Sequence, residues 1–280
     1  MNFFEFIKII LLGMTEGITE FLPISSTGHL LLLERILKPD FLTDENFSGL
    51  FTVVIQIGAV FAVLLIYFRQ LWPFGLTEKK RLIIKGPKLY LWLKIAVACI
   101  PSALVGLLFD DAFDTFFHGR TSVITVMITL ILYGVVFLFI ERFRKDNPPR
   151  FTTVGSVPLK LAVYIGCFQI LALIPGTSRA GITIIGAMLL GASRGVATEF
   201  TFYLEIPTLF GAGIFKLLKY GYELDGMQYA ILLTAMLVAF LVAFATVNWI
   251  IDYIKKHDFR VFGFYRIGLG LVILFVLLIT

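Results

Sequence analysis

The sequence predicts an all-α polytopic membrane protein: an inverted repeat of two five-helix halves, with six full spans plus two re-entrant helical hairpins. Three observations predict it. The 280 residues are 59% hydrophobic and only 15% charged, against roughly 25% charged in soluble domains, and the mean hydropathy is +0.93. The apolar residues come in long continuous runs near the ~20 residues that a bilayer crossing needs, not in the alternation of a β-barrel. Two further apolar regions are each broken in the middle by a proline and a run of polar residues, and those two regions look alike.

In chain order, the first broken region covers 3–37. Its start, "MNFFEFIKIILLGMTEG", has no basic stretch and no small-residue cleavage site, so no cleavable signal peptide is expected. Spans follow at about 48–68, 89–109 and 120–141. The second broken region covers 158–190, with halves 158–174 and 176–190 that are short for two crossings. Three more spans run over 195–218, 226–254 and 260–279. The whole chain, 1–280, reads as one membrane domain, with the first repeat at 1–141 and the second at 158–280.

Loop charges set the orientation. Arg69, Lys79, Lys80, Arg81, Lys85 and Lys88 crowd loop 69–88; Arg142, Arg144, Lys145 and Arg150 crowd loop 142–150; Lys255, Lys256 and Arg260 crowd loop 255–260. These three loops are expected in the cytoplasm. Loop 110–119, with Asp110, Asp111 and Asp114, is expected outside. The formal charge of +5 therefore reads as topology, with no nucleic-acid partner. Region 158–190 then begins and ends on one side, which makes it a re-entrant hairpin; by the same logic 3–37 is a hairpin from outside or two spans. Five helices per half insert the halves in opposite orientations. Cys99 and Cys167 lie inside apolar runs and read as small buried hydrophobes, with no disulfide or metal site. His118 and His257 read as solvated loop residues, and Asp252, Lys255 and Lys256 as a span end.

The chemistry lies at the two breaks. "LPISSTGH" (22–29) and "IPGTSRAG" (174–181) align on Pro23 and Pro175, placing Ser25 over Thr177 and Ser26 over Ser178. Each reads as a helix start, capped by Ser25 and by Thr177. Two helix N-termini converging, lined by Ser25, Ser26, Thr27, Thr177 and Ser178 with Gly176 in the second turn, form an anion receptor. Arg179 adds a planar fork suited to phosphate oxygens. An unpaired arginine in lipid costs on the order of 2.5–3.5 kcal/mol or more, which a bound phosphate offsets.

Glu16 and Glu20 share a helix face four residues apart. They suit either an acid/base role or a divalent cation held between them. His29, three residues after Ser26, suits a base, acid or nucleophile. Nucleophile, base, cation and clamp are the parts of phosphoryl transfer, and a membrane cavity implies a phosphorylated lipid. A transporter or flippase for a polyprenyl phosphate lipid is the alternative, because inverted repeats suit alternating access.

The stretches "EGITEFLPISSTGHL" and "PGTSRAG", with "VIQIGAVFAV" (54–63) and "EFTFYLEIP" (199–207), resemble the bacterial undecaprenyl-pyrophosphate phosphatase family, also called the bacitracin-resistance family. The resemblance covers essentially the whole chain. It implies hydrolysis of undecaprenyl pyrophosphate to the monophosphate and phosphate at the periplasmic side of the bacterial inner membrane, recycling the carrier of peptidoglycan synthesis. It also implies a divalent cation (Mg2+ or Ca2+), a homodimer, and catalytic roles for the positions matching Glu16, Glu20, Ser26, His29 and Arg179. Two positions depart from the family: Ala180, where serine is usual, and Glu205, where small or apolar residues are common.

Overall fold

A computed structural model describes residues 2–76, 82–117, 119–221 and 224–279. Lys79, Lys80, Arg81 and His118 lie outside the described residues. The chain folds as α1 (Phe3–Thr19), α2 (Ser26–Leu37), α3 (Glu45–Ile66), the single turn α4 (Phe68–Leu71), strands β1 (Phe74–Leu76) and β2 (Leu82–Ile84), α5 (Gly86–Phe116), α6 (Gly119–Asp146), α7 (Leu159–Ile170), α8 (Arg179–Leu189), α9 (Arg194–Tyr220), α10 (Gly226–Lys256) and α11 (Arg260–Ile279).

Six helices among the described residues are long and apolar enough to cross a membrane: α3, α5, α6, α9, α10 and α11. They coincide with the six expected runs, and the protein is an all-α polytopic membrane protein. Large apolar side chains such as Leu108, Phe139, Leu233 and Phe275 stand exposed along them, as lipid-facing residues do. Local signals fix the ends. Asp44 accepts from the N–H groups of Asn46 and Phe47 at the start of α3, and Asp225 with Gln228 forms a capping box on α10.

Three expected loops differ. Helix α5 runs on to Phe116 and α6 starts at Gly119, so loop 110–119 shrinks to a brief break. At its other end α6 continues to Asp146, through most of the expected 142–150 loop. Charged residues such as Arg142 and Lys145 are good helix formers, so hydropathy marks where lipid ends, not where the helix ends. Loop 69–88 contains α4 and an antiparallel β1–β2 ribbon paired Phe74 with Ile84; the sequence reading did not anticipate either.

Apart from the single turn α4, the remaining α-helices among the described residues, α1, α2, α7 and α8, have 17, 12, 12 and 11 residues. They form two helix–break–helix units, α1–α2 and α7–α8, with the two arms of each in contact. Helix α1 packs on α10, α7 on α5, α3 on both α9 and α10, and α6 on α11. The first two packings are close backbone approaches. A Cβ on Gly17 would lie 2.6 Å from the Ala239 carbonyl oxygen of α10, and one on Gly166 2.0 Å from that of Ala98 in α5. These contacts seat both breaks inside the bundle.

Candidate active site

Both breaks end in the same local device. Ser25 and Ser178 precede α2 and α8 with left-handed φ of 75° and 68°. The Ser25 hydroxyl accepts from Gly28 N–H at 3.3 Å and the Ser178 hydroxyl from Gly181 N–H at 3.1 Å. The structural equivalents are therefore Ser25 with Ser178 and Ser26 with Arg179. This corrects the proline-based register, and with it the assignment of the second cap to Thr177. The second turn holds one residue more between its proline and its cap. By helix geometry the first N–H groups of α2 and α8, at Ser26, Thr27, Arg179 and Ala180, have no acceptor within their own helices.

Glu20 joins the two tips. It sits at the end of α1, 6% exposed. Its Oε2 accepts from the Ser26 hydroxyl at 2.6 Å, and its Oε1 lies 3.6 Å from Nη1 of Arg179. Ser26 from the first tip and Arg179 from the second thus lie against one carboxylate. Nη1 of Arg179 is buried and has no hydrogen-bond partner.

Glu16 is fully buried one turn earlier, and neither of its oxygens has a hydrogen-bond partner. It lies within electrostatic reach of Glu20, Arg179 and Glu205. Glu205, from α9, is equally buried and unpartnered, and faces Glu20 and Arg179. Glu205 therefore lies at the site. Thr177 is buried, its hydroxyl near the Tyr133 phenol but outside hydrogen-bond geometry. Thr27 is exposed and makes no side-chain hydrogen bond to the other site residues.

His29 makes no hydrogen bond to Ser26. Its Nδ1 lies 2.7 Å from the Ser25 carbonyl oxygen and its Nε2 2.7 Å from the Tyr265 hydroxyl, with the two rings stacked. A carbonyl only accepts, so Nδ1 carries the proton and the neutral ring accepts from Tyr265 at Nε2.

Arg266 is the largest fully buried side chain, and the sequence reading did not single it out. It donates to the Pro23 carbonyl of the first turn at 3.2 Å, and to the Gly176 and Thr177 carbonyls of the second at 2.9 and 3.0 Å. Carbonyls freed by the two breaks inside the bundle need donors, and one guanidinium supplies them to both. Thr129 adds a hydrogen bond to the Pro175 carbonyl at 2.8 Å. An arginine seven positions into a span was the available signal, because such a residue is costly unless it has partners inside the bundle.

Among the described residues no three acidic, histidine or cysteine side chains come together at metal-ligand spacing. The orphaned Glu16 carboxylate beside Glu20 fits a more open arrangement, one or two carboxylates completed by water and substrate phosphate, which is the way Mg2+ is commonly held.

A family model described as bacitracin resistance protein BacA matches residues 9–272. The chain belongs to this family. Curated relatives named undecaprenyl-diphosphatase include one from Enterococcus faecalis, 47% identical over 276 residues that cover 99% of this chain and 98% of the relative. Another, from Lachnoclostridium phytofermentans, is 49% identical and covers 98% of this chain and 97% of its own length. A third, from Streptococcus mutans, is 49% identical with the same coverage. The relatives match 98–99% of the chain, and the family model spans both breaks.

Proposed function

We propose that the protein hydrolyses undecaprenyl diphosphate to undecaprenyl phosphate and inorganic phosphate, in the membrane, recycling the lipid carrier of cell-wall synthesis and giving resistance to bacitracin. The observation that carries the chemistry is the contact of Ser26 and Arg179 with one buried carboxylate, Glu20. A serine hydroxyl donating to a carboxylate at 2.6 Å is a nucleophile beside its base. Ser26 attacks the terminal phosphorus while Glu20 takes its proton, and undecaprenyl phosphate leaves. Water then releases phosphate from the seryl ester, and Glu20 returns the proton.

Arg179, whose Nη1 is ion-paired with Glu20 but makes no hydrogen bond, turns from Glu20 to the phosphoryl oxygens. The first N–H groups of α2 and α8 point the positive ends of two helices at the same charge. Ser25 and Ser178 hold those helix starts, and Gly176 and Thr177 shape the second turn. Glu16 and Glu20 would hold the divalent cation, Mg2+ or Ca2+, which when bound neutralises diphosphate charge. His29 orients α2 through Ser25 and Tyr265.

The helix pairings support an inverted repeat. Matching α1, α2, α3, α5 and α6 with α7 to α11 in order turns the α1–α10 contact into the α7–α5 contact, and leaves α3–α9 and α6–α11 unchanged. The same reading takes each helix–break–helix unit as re-entrant, the enzyme as a homodimer, and the site as opening to the outer face of the bacterial inner membrane.

The test is phosphate release from undecaprenyl diphosphate by protein purified in detergent, with and without a chelator. Detergent leaves no second side, so release separates hydrolysis from transport. Cation-dependent release that Arg179→Gln abolishes is the expected result; release that survives Arg179→Gln and Glu20→Gln together would overturn the assignment.

A further inference from the structure

A second cavity, of about 790 Å³, lies away from the two tips. It sits where the start of α9, the end of α10 and the segment after α6 meet. Tyr67, Arg144, Ser193, Arg194, Glu199 and Lys255 line it. Two of its three cations already have carboxylates: Arg194 holds Glu141 in a two-pronged ion pair, and Lys255 holds Asp252 at 2.8 Å. Arg144 stands within electrostatic reach of Arg194 and of the Glu141 carboxylate that Arg194 already holds, and makes no hydrogen bond of its own among the described residues.

The wall of the cavity repeats this excess of donors. Tyr67 is only 7% exposed and lines the cavity within electrostatic reach of Glu199, and its hydroxyl makes no hydrogen bond among the described residues. Its ring packs edge-on against Tyr203, centroids 5.0 Å apart. The Tyr203 hydroxyl is committed to Oε1 of Glu199, so the other Glu199 oxygen remains an acceptor. Ser193 caps the 27-residue α9 by accepting from Val196 N–H, which leaves the N–H groups of Arg194 and Gly195 without helical acceptors.

A guanidinium without a hydrogen bond, a phenol at the cavity wall and a helix N-terminus are donors suited to an oxyanion. One carboxylate among them sets a condition. An ionised carboxylate only accepts, so it repels an oxyanion without hydrogen and accepts from one that keeps a P–OH. We propose that this cavity binds a phosphate group that still carries a proton, either inorganic phosphate or a phosphate monoester. Arg144, the Tyr67 hydroxyl and the start of α9 take the phosphate oxygens, and Glu199 accepts from the P–OH. Sulfate and phosphodiester headgroups, which have no such hydrogen at neutral pH, are refused.

The experiment uses the full chain in neutral detergent with Arg179→Gln, so that the arginine at the tips does not contribute. Phosphorus NMR line broadening of inorganic phosphate reads one source; co-sedimentation with vesicles containing phosphatidic acid, against phosphatidylglycerol, reads the other. Binding of inorganic phosphate, phosphatidic acid or both should persist in Arg179→Gln and weaken roughly tenfold or more when Arg144→Gln is added, the loss of one charge-assisted hydrogen bond. Tyr67→Phe, which keeps the ring and deletes one hydroxyl, provides the same test should Arg144→Gln disturb folding. Sulfate should not compete until Glu199→Gln is introduced. The proposal fails if neither probe binds, if binding is indifferent to both Arg144→Gln and Tyr67→Phe, or if sulfate competes with the Glu199 protein.

Discussion

Ser26 donates its hydroxyl to Glu20 across the first break, at 2.6 Å. No other acidic side chain and no histidine hydrogen-bonds to Ser26 among the described residues, so on the proposed mechanism Glu20 is the base for Ser26. Glu20→Gln keeps the size and removes the proton acceptor, and phosphate release should fall by about 10²–10⁴, the usual range for a lost general base. Ser26→Ala should fall at least as far. Both variants should keep the wild-type unfolding temperature within a few degrees. A Ser26→Ala protein releasing phosphate at near-normal rates would transfer the attack to water or His29.

Arg266 hydrogen-bonds both breaks, and removing it should loosen both at once. Arg266→Met strands the carbonyls of Pro23, Gly176 and Thr177. An unsatisfied buried acceptor costs roughly 1–3 kcal/mol, so a net loss of about 3 kcal/mol is expected even after relaxation. That corresponds to a fall of about 5–10 °C in unfolding temperature. Arg266→Lys brings one point donor in place of a fork and should recover only part of the loss. Thermal unfolding in detergent reads both variants, and an unchanged midpoint in Arg266→Met would contradict the bridging role.

The six spans were legible because length and hydropathy are local properties, and the breaks because Pro23 and Pro175 interrupt apolar runs with hydroxyl residues. The registration of the tips was not. Prolines align in sequence, but the cap goes to the residue whose backbone turns left-handed, and Ser178 does so one position later than the alignment with Ser25 implies. Arg266 and Tyr265 were hidden for a different reason. Their partners lie 243 and 236 positions away in the chain, and no local pattern encodes a meeting that depends on helix packing. The β1–β2 ribbon escaped because a stretch crowded with lysine and arginine reads as a loop whatever its backbone does.

The His29 ring is occupied at both nitrogens, so it should act by position rather than by attack. Tyr265→Phe removes the donor to Nε2 and leaves the Nδ1 contact to Ser25 intact. Phosphate release should fall by roughly twofold to tenfold, about the worth of one neutral hydrogen bond, well short of the Ser26→Ala loss. Nitrogen NMR of the imidazole should show the proton on Nδ1 in the wild type. A Tyr265→Phe loss as deep as that of Ser26→Ala would place His29 among the reacting groups.

Gly176 carries the tightest backbone requirement of the second tip. Its φ is +82°, and a Cβ there would sit 2.3 Å from the Thr129 hydroxyl oxygen and 2.6 Å from the Val126 Cα. Left-handed backbone costs a residue with a Cβ about 1–2 kcal/mol, and overpacking adds roughly 1–3 kcal/mol. Gly176→Ala should therefore lower the unfolding temperature and phosphate release together, because the displaced carbonyl is also an Arg266 acceptor. Gly211→Ala, in α9 with nothing within 4 Å of its added Cβ, is the matched control; it should be neutral or slightly stabilising.

Glu205 separates stability from catalysis in one position. It is 1% exposed, has no hydrogen-bond partner for either oxygen, and faces Glu20 and Arg179. A buried carboxyl group without partners is a standing cost of roughly 1–3 kcal/mol, and Met fills nearly the same volume without it. Glu205→Met should raise the unfolding temperature. It also removes a carboxyl group that competes with an incoming diphosphate for Arg179, so KM should fall. Ser26 and its base are untouched, so kcat should move much less than KM. Glu205→Gln, which keeps a polar group beside Arg179 but cannot become an anion, should show a smaller KM effect and a smaller gain in stability. A Glu205→Met protein with lost kcat and unchanged KM would mean that this third carboxylate takes part in the chemistry itself.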